Sequence, residues 1–300
     1  MSHAKHRSGR VALVGRPNVG KSTLLNCLVG EPIAIVSRSP QTTRDVVRGI
    51  VTRGRAQFVF VDTPGLHLAR NRLGHWMNQV AREEAREADA IALVVEPTAD
   101  PADLALAGEL PSVPAVLVVN KIDRLKDKAA LFPVLAAFAS AHPFVATVPI
   151  SATRADGTDR LLDELGALLP EQPFLFEEGT LSDQPVRLFA AEFVREQILA
   201  HTRQEVPHGV AVAVERFDES TDVPHIEIAI HVARPAYKKI LIGAGGSMMK
   251  RIGTAARVRI ERMLGRKVHL KLWVRATADW MNDPAMLRDL GYGRDRSQAP

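Results

Sequence analysis

The sequence predicts a doubly wound α/β sheet followed by a smaller α+β unit, and three observations carry that expectation. Over residues 9–170, short apolar runs rich in β-branched residues alternate with longer helical patterns, as parallel strands joined by helices do. The first run, Val11–Val14, leads into Gly15-Arg16-Pro17-Asn18-Val19-Gly20-Lys21-Ser22 and then Thr23-Leu24-Leu25, a G-x-x-x-x-G-K-[ST] loop set between a strand and a helix. From residue 186 onward the pattern becomes α-β-β-α-α-β.

The loop has a physical purpose. Its glycines let the backbone turn N–H groups toward a phosphate chain, and the helix that follows adds a partial positive charge. Lys21 is placed to reach β- and γ-phosphates, the Ser22 hydroxyl to bind Mg²⁺, and Thr23 to close the cradle.

The other elements of the first part follow in order. Ala56–Val61, Ala90–Val95, Ala115–Val119 and Val145–Ile150 read as buried parallel strands, with helices at Leu73–Ala88, Ala129–Ser140 and Thr158–Leu169. Ligands of such sheets bind at the carboxyl ends of the strands, and the remaining motifs fall there. After Val61 come Asp62-Thr63-Pro64-Gly65, where the acid can hold Mg²⁺ through water and Gly65 lets a backbone N–H approach a γ-phosphate. After Val119 come Asn120-Lys121-Ile122-Asp123. The Asp123 carboxylate can accept two hydrogen bonds from the N1–H and N2–H₂ edge of guanine, an edge adenine lacks, while Lys121 lays its stem over the base and Asn120 ties the loop back. Ser151-Ala152, after the last strand, supplies a turn whose backbone N–H can meet guanine O6. Between the first two motifs, Ser39-Pro40-Gln41-Thr42-Thr43-Arg44-Asp45 is polar and without periodicity, and is placed to order when a γ-phosphate and Mg²⁺ are present. Thr42 or Thr43 would serve the metal and the attacking water. Lys21, Thr42, Thr43 and Gly65 are therefore the candidates for hydrolysis, and Ser22, Thr43 and Asp62 for the metal.

Composition bounds the rest. Three hundred residues suit about two domains, and 46% hydrophobic with 24% charged residues is ordinary for a globular chain. No apolar run approaches the roughly eighteen residues of a membrane span. Met1–Arg10 is basic, precedes only a short apolar stretch, and reads as a loose tail rather than a signal peptide. The single cysteine, Cys27, excludes an internal disulfide and points to a reducing, cytoplasmic setting, with a packed thiol. The ten histidines show no metal-ligand spacing beyond His3 and His6 in the tail.

Charge separates the two parts. Residues 1–182 carry 20 basic and 20 acidic side chains, whereas residues 183–300 carry 19 and 14, so the whole excess lies in the second part. Between Arg234 and Arg275 there are twelve basic residues and one acid, Glu261, a bias that favours a polyanionic partner. Pro170–Pro185, rich in Pro, Glu and Gly, divides the chain into a domain at 9–170, a linker at 171–185 and a domain at 186–292. The second domain reads as a helix Val186–His201, a strand pair Gly209–Phe217 and His225–Ala233, Ile240–Ile242, the turn Gly243-Ala244-Gly245-Gly246, a helix Ser247–Leu264 and a strand Val268–Val274. A G-x-x-G turn joining two helices can clamp the backbone of single-stranded RNA, which makes Gly243, Ala244, Gly245 and Gly246 with Lys238, Lys239, Lys250 and Arg251 the candidate RNA contacts.

Together the motifs Gly15–Thr23, Gln41-Thr42-Thr43-Arg44, Asp62-Thr63-Pro64-Gly65-Leu66-His67 and Asn120-Lys121-Ile122-Asp123, followed by G-x-x-G and by Leu272-Trp273-Val274-Arg275 and Gly291-Tyr292, resemble the Era family of bacterial GTPases over nearly the whole chain. The resemblance implies a P-loop GTPase domain followed by a type II KH domain, with GTP or GDP and Mg²⁺ as ligands. It implies a monomeric protein of the cytoplasm, with peripheral contact at the inner face of the cell membrane. The implied partner is the 3′ end of small-subunit ribosomal RNA and the 30S subunit that it helps mature. Asn18 stands where related GTPases bind K⁺ beside the phosphates, and Asn equally serves as a plain loop residue. Leu66 stands where Ras-like enzymes carry a water-orienting glutamine, so intrinsic hydrolysis is expected to be slow. Two departures stand out: the G-x-x-G turn lacks the family's usual Lys, and Val95-Glu96-Pro97 replaces a strand that commonly ends in Asp, at a point expected to lie away from the nucleotide. Related GTPases of other families would bring a helical or second GTPase domain, and a degenerate binder would have lost Lys21, Ser22 or Asp123.

Overall fold

The computed structural model describes residues 6–37, 39, 42–202 and 206–292. The described residues form two compact units, one of 6–36, 42–68 and 77–183 and one of 37, 39, 69–76, 184–202 and 206–292.

The chain begins with β1 (Arg7–Val14), α1 (Lys21–Val29), β2 (Val47–Arg53), β3 (Ala56–Asp62), α2 (Arg72–Glu87), β4 (Ala90–Val95), α3 (Pro101–Gly108), β5 (Ala115–Val119), α4 (Leu131–Ala141), β6 (Ala146–Pro149) and α5 (Thr158–Leu168). The sheet order is β2-β3-β1-β4-β5-β6, parallel throughout except for β2, which pairs antiparallel with β3 at the edge. β4 and β5 are buried along their whole lengths, which is why they read as unbroken apolar runs. Two apolar layers flank the sheet, one including Leu13, Phe58, Phe60 and Leu165, the other Leu93, Leu117 and Phe138.

Three expectations need correction here. Arg7–Arg10 are not tail but the start of β1, paired with Ala56–Val59. Ser8 is fully buried there and donates to the Pro173 carbonyl at 2.6 Å. β2 and α3 were not expected. Residues 170–183 do not behave as a free linker: Ser8 N–H donates to the Pro170 carbonyl (3.2 Å), Gln172 N–H to the His6 carbonyl (3.1 Å) and Ile50 N–H to the Leu181 carbonyl (2.9 Å). The buried amide of Gln57 accepts from the N–H groups of Leu175 (2.8 Å) and Phe176 (2.9 Å) and donates to the Phe176 carbonyl (2.9 Å).

The second unit contains α6 (Val186–His201), β7 (Val210–Asp218), β8 (His225–Val232), α7 (Pro235–Ile242), α8 (Ser247–Leu264), β9 (His269–Ala276) and α9 (Pro284–Asp289). β8 is central, antiparallel to β7 and parallel to β9. Residues 69–76 also belong to it: Leu73 N–H donates to the Met281 carbonyl (3.0 Å), and the Trp76 ring meets Tyr292 edge-on at 5.4 Å. Trp280, fully buried, donates its indole N–H to the Gly209 carbonyl at 3.2 Å. Among the described residues no helix is long and apolar enough to cross a membrane.

Candidate functional site

The phosphate loop runs from the end of β1 to the start of α1. Gly20 adopts φ 104°, and a Cβ on it would lie 2.3 Å from the Asn120 side chain, so only glycine lets these loops meet. Lys21 is buried and donates to the carbonyls of Gly15 (3.0 Å) and Arg16 (3.1 Å). Burial pulls its ammonium down to about 8, against the attraction of Asp62. Burial pushes the Asp62 carboxyl up, opposed by Lys21 and by the hydroxyls of Ser22 and Thr43. Those hydroxyls converge on one oxygen of Asp62: Ser22 Oγ donates to Oδ2 at 2.6 Å, Thr43 Oγ1 at 3.1 Å, and the two hydroxyls are 2.9 Å apart. The other oxygen, Oδ1, is buried with no partner among the described residues. Three hard oxygen donors around an orphaned carboxylate oxygen fit Mg²⁺.

Gly65 comes close to the phosphate loop; a Cβ on it would lie 2.6 Å from the Pro17 nitrogen, and Leu66 N–H donates to the Gly15 carbonyl at 3.2 Å. Thr63 turns its hydroxyl to the Leu13 carbonyl at 2.8 Å, holding β3 to β1. Leu66 lies against the apolar layer that includes Leu93. Thr42 and Thr43 are described but Pro40 and Gln41 lie outside the described residues, as does His3.

The base loop is built by side chains. Asn120 is buried; its Nδ2 donates to the Val19 carbonyl at 2.9 Å, and its Oδ1 accepts from the N–H groups of Lys121 (2.8 Å) and Ala152 (3.1 Å). Ser151 Oγ donates to Asp123 at 2.7 Å, which holds that carboxyl below the usual carboxylate range. Ser151 N–H is taken by the Asp156 carbonyl at 3.0 Å, so a guanine O6 would have to share or displace the Ala152 bond.

Two acids were missed by reading the sequence, and a third, Glu96, was placed away from the site. Arg16 extends to Asp100 (2.7 Å) and to the buried Asp103 (3.5 Å) at the start of α3, so toward the phosphate site it offers its backbone. Glu96 does not lie apart from the site: its carboxylate is ion-paired with Lys121, whose ammonium also donates to the Asn18 carbonyl at 2.5 Å. The pairing of Val95 with Val119 in neighbouring strands sets Glu96 beside Asn120, a neighbourhood that only the strand order reveals.

In the second unit, Gly243, Gly245 and Gly246 all have positive φ, and a Cβ on Gly243 would lie 2.8 Å from that of Met248, so the turn is tight. Beside it a groove of about 610 Å³ is lined by Ile242, Gly246, Leu270 and Leu272 with Lys238 and Lys250. Lys238, Lys239, Lys250 and Arg251 are exposed, and among the described residues none of the four is ion-paired, whereas Arg259, Arg266, Lys267, Lys271 and Arg275 each are.

A phosphate loop, a hydroxyl–carboxylate metal niche and a guanine-type base loop on one sheet, with a separate KH unit, define a P-loop GTPase carrying an RNA-binding module. Residues 10–121 match a family described as a 50S ribosome-binding GTPase, and residues 205–281 match the KH domain. The chain is 42% identical to GTPase Era of Ruminiclostridium cellulolyticum over 97% of its length and 99% of that protein's, and 45% identical to GTPase Era of Geobacter metallireducens over 97% and 100%. Among solved structures, a variant of Aquifex aeolicus Era bound to GDP and AlF₄⁻ superposes with a TM-score of 0.92 at 37% identity, covering 96% of this chain and 100% of that one. Era in complex with MgGDPNP and nucleotides 1506–1542 of 16S ribosomal RNA also superposes at 0.92, with 36% identity and the same coverage. The chain belongs to the Era family of GTPases.

Proposed function

We propose that this GTPase is a ribosome assembly factor that binds the 3′ end of small-subunit ribosomal RNA through its KH unit, assists 30S maturation, and changes its RNA affinity with the nucleotide held. The observation that carries the RNA half is a cluster of exposed cations at the G-x-x-G turn, Lys238, Lys239, Lys250 and Arg251, none of them ion-paired among the described residues, with Lys238 and Lys250 lining the adjoining groove. The likeness to Era crystallised with a 16S ribosomal RNA segment supports the choice of RNA.

In the GTPase half, Lys21 gives up the Gly15 and Arg16 carbonyls for the β- and γ-phosphates. Gly65 brings its N–H toward the γ-phosphate, and Asp123 reads the guanine edge while Asn120 and Ser151 hold its loop. Ser22, Thr43 and Asp62 would hold Mg²⁺, which when bound would neutralise charge developing on the phosphate oxygens. Thr42 and Thr43 bring the preceding segment to the metal and the attacking water. Leu66 has no group to orient that water, so the charge that speeds hydrolysis comes from elsewhere, and K⁺ at Asn18 beside the phosphates fits that need. The setting that matches these partners is the cytoplasm, with peripheral contact at the inner face of the membrane as the family resemblance implies.

The test is titration of the full chain with a single-stranded RNA of the 16S 3′-end sequence, in GDP and in a non-hydrolysable GTP analogue, at two salt concentrations. Affinities are expected to differ about 5–150-fold between nucleotides, and reciprocally RNA shifts GTP over GDP binding by the same factor. Gly245→Asp is expected to weaken RNA binding in both states while leaving nucleotide binding intact. Equal affinities would remove the switch; no RNA binding at low salt would remove the partner.

A further inference from the structure

We infer that Glu96 is a positioning residue of the nucleotide site, holding Lys121 against the face of the base and so setting how long a guanine nucleotide stays bound. Lys121 and Asn18 are two of only four non-glycine residues with positive φ among the described residues, at 65° and 66°. Such conformations persist only where the surroundings over-determine them. Here the Lys121 ammonium is held from two sides, by the Asn18 carbonyl at 2.5 Å and by the Glu96 carboxylate. The first contact is a single neutral acceptor on an exposed loop residue, and it leaves the ammonium a choice of direction. The second supplies a counter-charge from the residue directly after β4, a strand with no exposed residue, so the anchor is set one residue from a buried strand end. The Lys121 side chain is 19% exposed and that of Glu96 39%, so the pair is shielded enough to matter and open enough for Glu96 to be replaced without unfolding the sheet.

The inference rests on the guanine site of the proposed function and adds a division of labour. Asp123 reads the edge of the base; Glu96, acting through the Lys121 stem, governs the face. Loss of Glu96 therefore speeds release of every base that the stem covers by a common factor, whereas damage to the base loop as a whole erases discrimination at the edge.

Release of fluorescently labelled GDP and IDP from the full-length protein distinguishes these. Inosine lacks the 2-amino group and forfeits one Asp123 contact, so the unmodified protein must release IDP faster than GDP; if it holds neither, the guanine reading itself fails. With that established, Glu96→Ala and Glu96→Gln are each expected to speed release of both nucleotides about fivefold, with the IDP/GDP ratio unchanged. Glu96→Asp is expected to recover most of the retention, since it keeps the charge. Added NaCl is expected to speed release from the unmodified protein and to have little effect on Glu96→Gln, whose lysine has no counter-charge to screen. Release rates within about 1.5-fold of the unmodified protein in Glu96→Ala would overturn the inference, and so would an IDP/GDP ratio that falls to one, because the residue would then merely hold the loop folded.

Discussion

The side-chain amide of Asn120 donates to the backbone carbonyl of Val19 at 2.9 Å, a bond buried on both sides that ties the base loop to the phosphate loop. One side chain thus sets the distance between the sites for the two ends of a nucleotide. Asn120→Ala leaves the Val19 carbonyl unpaired, a loss of about 1–3 kcal/mol, and is expected to weaken GDP binding about 10–100-fold. Titration with labelled GDP measures it; an unchanged Kd would show that the loops keep their spacing without the tie.

The proposed base choice rests on a single carboxylate. Asp123→Asn places an amide donor opposite the guanine N–H groups and is expected to lower GTP affinity by about two orders of magnitude while raising that for XTP. Competition of GTP and XTP against labelled GDP reads the exchange. Retained GTP preference in the variant would move base recognition away from Asp123.

The niche of Ser22, Thr43 and Asp62 is expected to be needed for turnover. Ser22→Ala should slow hydrolysis at least about 100-fold, as should chelation of divalent ions, while the second unit keeps its fold by circular dichroism. Phosphate release at matched nucleotide saturation reports it. Hydrolysis in KCl is expected to exceed that in NaCl through the phosphate loop at Asn18, and equal rates would retire the ion from the mechanism.

His231 in β8 is mostly buried, contacts Thr277 Oγ1 through Nδ1 at 3.0 Å, and faces Arg275 and Glu215. Burial, with help from Arg275 and against Glu215, holds its pKa below the ordinary value of 6.5. The unfolded chain therefore binds a proton more readily than the folded one just below that value, and the second unit loses stability as pH falls through 6.5. Melting of the full chain between pH 7.5 and 5.5 should show the second unit's transition dropping, with a smaller drop in His231→Gln. An identical drop in that variant would assign the effect to other groups.

What could be read in the sequence was what repeats a local physical rule. β4 and β5 are apolar at every position and declare themselves, and the glycine, lysine and aspartate motifs sit at strand ends where a phosphate-loop sheet must present them. β2, Val47–Arg53, contains two arginines and a glycine on an edge, so its pattern was hidden. α3 is short, although Asp100 followed by Pro101 is a helix-opening signal that reading by periodicity passed over. Residues 170–183 have the composition of a linker because proline and glycine report chain stiffness, while their hydrogen bonds to Arg48, Ile50 and Gln57 depend on strands more than a hundred residues earlier. The Glu96–Lys121 pair needed the order of the strands, which no single stretch of sequence states.

The edge of the six-stranded sheet is finished by residues far down the chain. Ile50 N–H is taken by the Leu181 carbonyl at 2.9 Å, Ser182 Oγ donates to the Arg48 carbonyl at 2.6 Å, and Arg48 reaches Asp183 at 2.8 Å. Until those residues arrive, β2 is an open strand edge and the buried amide oxygen of Gln57 lacks the Leu175 and Phe176 N–H groups that it accepts from. During translation the first unit therefore stays unfinished while its own nucleotide loops are already made, and it is sealed only as Asp183 leaves the exit tunnel. A chain stopped short at residue 170 would carry every nucleotide motif and still expose a sticky edge to its neighbours.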